Sequence, residues 1–297
     1  YVEFNPVSEN VVMTTNSDHS VQLCDVAAGG DTAASTIDVH PNTINSACFN
    51  GTGSLIATTC RDGKIRVLDP RAGSVVAEGQ GHQGRKTMKA AWCFGGGRRE
   101  VLASTGCAAA GHRQLCLWDP VRMGRCDSLL LDVSDYAPES VVSLTTLPAL
   151  AGCLRTRPIL VPLPPRTFRT LVAQRDLSSP YSTKTVDSSN GLLLPMFCEA
   201  TGLLLLAGRG GSGIKYYELS DSGGTSAPSA QFCNEYKAEG DPLSGLALLP
   251  PQCLDVASVE VARLLRLTST SVEPVSLMLP RSADMKGFFQ DGIYRYG

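Results

Sequence analysis

Apolar and polar positions alternate over residues 18–25, where Asp18 is followed by Val21, Leu23 and a closing Asp25. The same phrase returns 44 positions later as Asp62, Ile65, Val67 and Asp69. Residues 112–119 repeat it with Leu115, Leu117 and Asp119, and residues 211–218 with Ile214, Tyr216 and Glu218. A period of two predicts short strands, because successive side chains of a strand point to opposite faces. Recurrence every 40 to 45 residues or so predicts an array of small antiparallel sheets, each burying its faces against its neighbours.

The repeats divide the chain into units. The first runs from Tyr1 to about Ile37 and the second begins at His40-Pro41. In the second unit, residues 55–60 pair with 64–68 across Arg61-Asp62-Gly63. An Asp-Gly between alternating strands predicts a tight hairpin with positive φ at both central residues. On 64–68, Ile65 and Val67 are expected to face inward, with Lys64 and Arg66 outward. The third unit opens on Gly81-His82 and closes through 114–119; the fourth resumes at Ser188 with strands at 192–197, 203–207 and 214–219. A fifth, diverged unit covers 231–268, its closing strand 261–267 carrying Arg266. The predicted fold class is all-β: a WD-repeat β-propeller. In such blades a Gly-His, a turn Asp, a strand Ser or Thr and a Trp satisfy one another's buried polar groups. His82, Ser104 and Trp118 are expected to form this set in the third unit, with His112 in the Asp slot. His40 and Asp62 form the corresponding core of the second unit, where Leu68 replaces Trp.

Between Arg122 and Thr183 the pattern fails. Seven prolines fall there, Pro138 to Pro180, and proline removes ladder donors. Residues 122–187 are therefore read as a proline-rich, largely irregular insertion between two blades. The expected organisation is three blade units in 1–121, the insertion, two units in 188–268, and an extension packing on the propeller in 269–297.

Composition narrows the function. The 297 residues are 43% hydrophobic with net charge −2, which fits a globular domain and excludes bulk polyelectrolyte binding, so no nucleic acid partner is expected. No apolar run approaches the roughly 20 residues of a membrane span. Eleven cysteines stand without C-x-x-C pairs, and reduced buried thiols are expected instead of disulfides or a metal centre. The chain opens on Tyr1, and the interior of a longer protein is the expectation. Four histidines, His19, His40, His82 and His112, are spread over separate units with no nucleophile elbow or Walker sequence, so neither catalysis nor a cofactor is expected. Charge is uneven: residues 61–99 hold nine basic and three acidic residues, plus 6, and 122–186 hold eight and five, plus 3. The remainder then carries −11. A basic sector on an acidic body steers toward an acidic partner.

The wording of the units resembles the coronins, WD-repeat proteins that bind actin filaments. GKIRVLDPR at 63–71, VVAEGQGHQGRKTMKAAW at 75–92, HRQLCLWDP at 112–120, SSNGLLLPMF at 188–197 and GIKYYELSD at 213–221 carry the likeness, with LDVASVEVARLLRL at 254–267, EPVSLMLPR at 273–281 and FFQDGIY at 288–294. The resemblance implies about five blades of a seven-bladed ring, without the family's first two blades and C-terminal coiled coil, through which family members oligomerise. It implies a cytoplasmic, cytoskeleton-associated protein whose partners are filamentous actin and other cytoskeletal regulators. Within this chain the basic sector supplies the expected contacts: Lys64, Arg66, Arg71, Arg85, Lys86 and Lys89. The alternative is a protein docking scaffold, in trafficking or an adaptor complex, without direct actin binding.

Overall fold

A computed structural model describes residues 1–29, 33–84, 86–93, 100–120, 175–177, 179–189, 191–220, 228–280 and 293–294. Five sheets follow one another along the chain. Blade 1 is β1 (Val2–Phe4), β2 (Val11–Thr15), β3 (Val21–Asp25) and β4 (Ala33–Ile37); blade 2 is β5 (Ile44–Phe49), β6 (Ile56–Cys60), β7 (Lys64–Asp69) and β8 (Ser74–Gln80). Blade 3 uses β9 (Lys89–Cys93), β10 (Val101–Cys107), β11 (Arg113–Trp118) and, beyond the two-residue β12 (Arg175–Asp176), β13 (Ser182–Asp187). Blade 4 is β14 (Leu193–Cys198), β15 (Leu203–Gly208), β16 (Gly213–Ser220) and β17 (Ser229–Lys237). Blade 5 has three strands, β18 (Gly245–Leu248), β19 (Glu260–Leu267) and β20 (Val272–Met278). Neighbouring strands within a blade pair antiparallel in chain order. The arrangement is an all-β propeller of five blades.

The repeated phrase is the third strand of a blade, and its two aspartates cap the turns at either end. Asp18 and Asp62 accept the backbone N–H of Ser20 and Lys64, each at 3.0 Å. Asp25 accepts Ala27 N–H and Asp69 accepts Arg71 N–H, both at 2.9 Å. These are Asx turns, which fix the chain entering and leaving the strand. The hairpin before β7 differs from expectation: Gly63 has φ 89°, while Asp62 is not among the positive-φ residues. The Asp62 side chain holds Lys64 N–H, so one left-handed residue completes the turn. In blade 1 His19 occupies that position with φ 73°.

Four hydrophobic clusters fill the four seams between consecutive blades. Met13, Val21 and Leu23 meet Phe49, Ile56 and Leu68 between blades 1 and 2. Ile65 and Val67 meet Trp92 and Trp118 between blades 2 and 3. Leu115 and Leu117 meet Leu204 and Tyr217 between blades 3 and 4, and Ile214 meets Leu264 and Val275 between blades 4 and 5. On β7, therefore, Ile65 and Val67 face blade 3 while Leu68 faces blade 1. Because both sides of an inner blade are covered, the expected outward position of Arg66 is corrected: its residue is only 4% exposed.

Three boundaries also move. Ser182–Asp187, grouped above with the insertion, is the outer strand of blade 3, with Leu117 opposite Ser182 and Arg113 opposite Asp187. The insertion thus interrupts a blade between its third and fourth strands instead of separating two blades. Ser229–Lys237 closes blade 4, although its residues from 231 were assigned to the fifth unit. Arg266 lies on the middle strand of blade 5, so it is not a closing position. Outer strands are mostly solvated, as the exposed Gln231–Asn234 shows, and such strands carry no alternation to read.

Among the described residues no cluster joins blade 5 to blade 1. Their outer faces instead expose Val2 (73%), Phe4 (65%), Val272 (60%) and Leu267 (45%). Apolar sheet surface of this kind drives association. The chain expressed by itself is expected to self-associate with rising concentration in sedimentation velocity, and Phe4→Lys with Val272→Lys to weaken that association. A concentration-independent monomer would contradict this reading of the end faces.

Candidate partner-binding face

Buried polar groups fix which side chains the blades consume internally. In blade 3, His82 Nε2 lies 2.9 Å from Ser104 Oγ, and Trp118 Nε1 donates to the same oxygen at 2.8 Å. All three residues are at most 4% exposed. Burial pushes the His82 pKa below the usual imidazole range, so the ring is neutral and serves structure. Cys116 Sγ, 3.9 Å from His82 Nδ1, stands where His112 was expected. His112 is exposed on the turn before β11 and is not part of the set. In blade 2, His40 Nε2 lies 2.9 Å from Thr58 Oγ1, and burial, with the Arg66 charge nearby, pushes its pKa down to about 4. Asp62 turns away to Arg66, leaving His40 Nδ1 without a hydrogen-bond partner.

The described basic residues among those singled out from sequence separate into three groups. Arg66 and Lys64 are neutralised within their own blade. Arg66 Nη2 reaches Asp62 at 2.6 Å, its Nε reaches Glu78 at 2.7 Å, and Lys64 Nζ meets the other Glu78 oxygen at 2.5 Å. Arg71 is exposed, but it follows the far end of β7, about 20 Å from Lys64 at some 3.3 Å per residue. Arg85 lies outside the described residues. Lys86 and Lys89 remain at the start of β9, on the rim where the second-to-third-strand turns and the blade-to-blade connections gather.

Two clefts open on that rim and share Lys86 and Thr87. One, of about 300 Å³, is lined by Asn45, Arg61, Gly63, His82 and Gly84; the other, of about 310 Å³, by Cys107, Arg113, Gly191 and Leu193. Arg113 is committed to Asp187, its Nε 2.5 Å from Oδ1, and Lys215 of blade 4 joins the same carboxylate at 2.7 Å. Those two cations hold the Asp187 carboxyl well below the usual range, against the opposing effect of burial. Lys89 donates to Asn45 O at 2.5 Å and sits 4.3 Å from the Tyr1 ring centroid. Burial, and then the Arg209 charge, lower its pKa to about 8. Arg61, Lys86, Lys89 and Arg209 therefore form the cationic set. Arg61 and Arg209 were not among the contacts expected from sequence. Arg61 stands in the 61–99 sector, but Arg209 sits alone in a glycine-rich turn where charge counting by segment gives no signal.

Among the described residues no group of three or more His, Cys, Asp or Glu could hold a metal ion, and no helix is long and apolar enough to cross a membrane. Glu3, half-buried against blade 2, accepts the Phe49 backbone N–H, and burial pushes its pKa up to about 7.

The sheet order, the seams and the His82–Ser104–Trp118 set define a WD-repeat β-propeller. No protein-family model matches the chain. Human Coronin-2A is 28% identical over 99% of it, Coronin-A of Dictyostelium discoideum 31% over 87%, and the coronin-like protein crn1 of Schizosaccharomyces pombe 27% over 99%. Among solved structures, the WD40 domain of Toxoplasma gondii coronin superposes over 99% of the chain with TM-score 0.72 at 21% identity, covering 59% of that domain's chain. The chain is a coronin homologue. It spans less than half the length of these relatives, 44% of human Coronin-2A and 43% of Coronin-A.

Two tests follow from the buried groups. Ser104→Ala removes the oxygen shared by His82 and Trp118 and is expected to cost about 2–3 kcal/mol in urea denaturation, since two buried groups lose their partner. Glu3, whose folded pKa exceeds its unfolded value, favours folding when protonated. Its contribution is full below about pH 4.5 and is lost as pH rises toward 7. Glu3→Gln is accordingly expected to raise the melting temperature at pH 8 and to leave it nearly unchanged at pH 4.

Proposed function

We propose that the chain is a non-catalytic propeller segment that binds filamentous actin within a cytoplasmic, cytoskeleton-associated protein, and that the rim of blades 2 to 4 carries the contact. The observation that supports this reading is that Arg61 and Lys86 line two adjoining clefts, and that Lys89 follows them close enough to Arg209 for the two charges to interact, in a coronin homologue. Actin's exposed surface is acidic, and a clustered cationic rim raises the encounter rate with such a surface. Each exposed pair contributes on the order of 0–1 kcal/mol, so affinity rests on several contacts together. Lys64 and Arg66 already have carboxylate partners, and moving them to an external one gains little.

Reversing Arg61, Lys86 and Lys89 to Glu together is expected to weaken filament cosedimentation at low salt about tenfold, equivalent to about 1.4 kcal/mol. Reversal of Arg66 is expected to lower stability instead, because it strips Asp62 of its cation and sets a third carboxylate between Asp62 and Glu78. With Lys89 losing its proton near pH 8, binding should also weaken between pH 7 and 9. Unchanged cosedimentation by the triple variant would reject this rim as the contact.

A further inference from the structure

Blade 2 carries a fifth strand. β12 pairs parallel to β8, with Arg175 opposite Ala77 and Asp176 opposite Glu78. No other blade has such an addition among the described residues. The next residue, Leu177, is 1% exposed and lies in the cluster that holds Val76, Ala77 and both tryptophans, Trp92 and Trp118. Its seat exists because position 79 is glycine: a Cβ there would overlap the Leu177 carbonyl oxygen and Cβ. Gly79 is not a positive-φ residue, so its backbone conformation does not call for glycine. The positions equivalent to it, opposite the first apolar residue of the third strand, are Ile37, Lys184 and Tyr236 in blades 1, 3 and 4. A side chain was given up only in the blade that receives the extra strand.

The occupant is not part of the repeat. Pro180 cannot donate to a ladder, and Tyr181 N–H bonds Leu117 O at 2.6 Å, so the chain passes to blade 3 within four residues of Leu177. We propose that the outer edge of blade 2 is a strand-addition docking site for an extended, leucine-bearing peptide, filled in this chain by its own Arg175–Leu177. The outer edge of β8 supplies main-chain hydrogen bonds, the missing side chain at Gly79 admits the ligand's backbone, and the cluster around Trp92 and Trp118 selects an apolar side chain. The acceptable ligand runs parallel to β8 and places Leu directly after two paired residues. The tethered segment competes with any such peptide from outside.

The test uses the full chain and a fluorescently labelled peptide spanning residues 172–180. Leu177→Asp expels the resident side chain, and the vacated site is expected to bind the peptide at least about tenfold more tightly than the unaltered chain, where the tethered competitor acts at high effective concentration. Emission of Trp92 and Trp118 should shift red on vacating and return on binding. Adding Gly79→Ala to Leu177→Asp should abolish uptake, as should replacing Leu in the peptide by Ala. A folded Leu177→Asp chain that takes up no peptide, or one that binds it no better than the unaltered chain, overturns the proposal. Should that variant not fold, amide exchange on the unaltered chain decides: residues 175–177 opening together before β7 supports a separable occupant, and opening only with β7 refutes it.

Discussion

Polar groups caught between two blades have no water to turn to, and in this molecule the inner blades are covered on both faces. An unpaired buried donor or acceptor costs about 1–3 kcal/mol, comparable to the burial of a large apolar side chain. Each seam is therefore apolar except where a hydroxyl or imidazole finds a partner across or along it. Thr59 and Thr105, equivalent positions on β6 and β10, donate to Met88 O and Leu193 O of the next blade at 3.0 and 2.8 Å. Ser46 Oγ accepts Ala90 N–H from blade 3 at 3.1 Å. These bonds set the angular register of one blade on the next, which apolar packing alone leaves loose.

The same constraint decides where charge goes. A cation in the middle of a blade must bring its own carboxylates, as Arg66 does with Asp62 and Glu78, and Arg113 does with Asp187. Arg266, fully buried on β19, is held by Glu273 and by the Asp241 carbonyl. The cations that line the clefts stand instead at a rim, where strands end. A basic count along the sequence mixes both kinds, and only burial separates the structural arginines from those that can meet a partner.

The third strands were legible because two Asx turns bracket a strand whose apolar faces both matter. Asp18 and Asp62 sit before the strand and Asp25 and Asp69 after it, so turn chemistry and alternation reinforce each other. The His82, Ser104 and Trp118 set was readable for a similar reason: three residue types whose buried polar atoms need one another. Outer strands were not. Thr183, Lys184 and Thr185 of β13 are exposed, so neither face imposes a pattern, and the strand merged with the proline-rich stretch before it. Leu177 had even less to mark it, since its burial depends on a glycine almost a hundred positions earlier.

The insertion puts 63 residues, 119–181, between two paired strands of one blade. Loop closure grows only slowly with length, by about 0.6 kcal/mol per doubling, so the cost lies in holding the neck and not in the added chain. The neck here is held twice: the Tyr181 hydroxyl donates to Asp119, the closing acid of β11, and Tyr181 N–H donates to Leu117 O. The chain leaves β11 at its Trp118 end, the rim opposite the clefts around Lys86. The insertion therefore leaves the blade at the rim away from the cationic set. What it does reach is the edge of blade 2, where a strand end would otherwise stand unpaired and where Leu177 completes the cluster around both tryptophans.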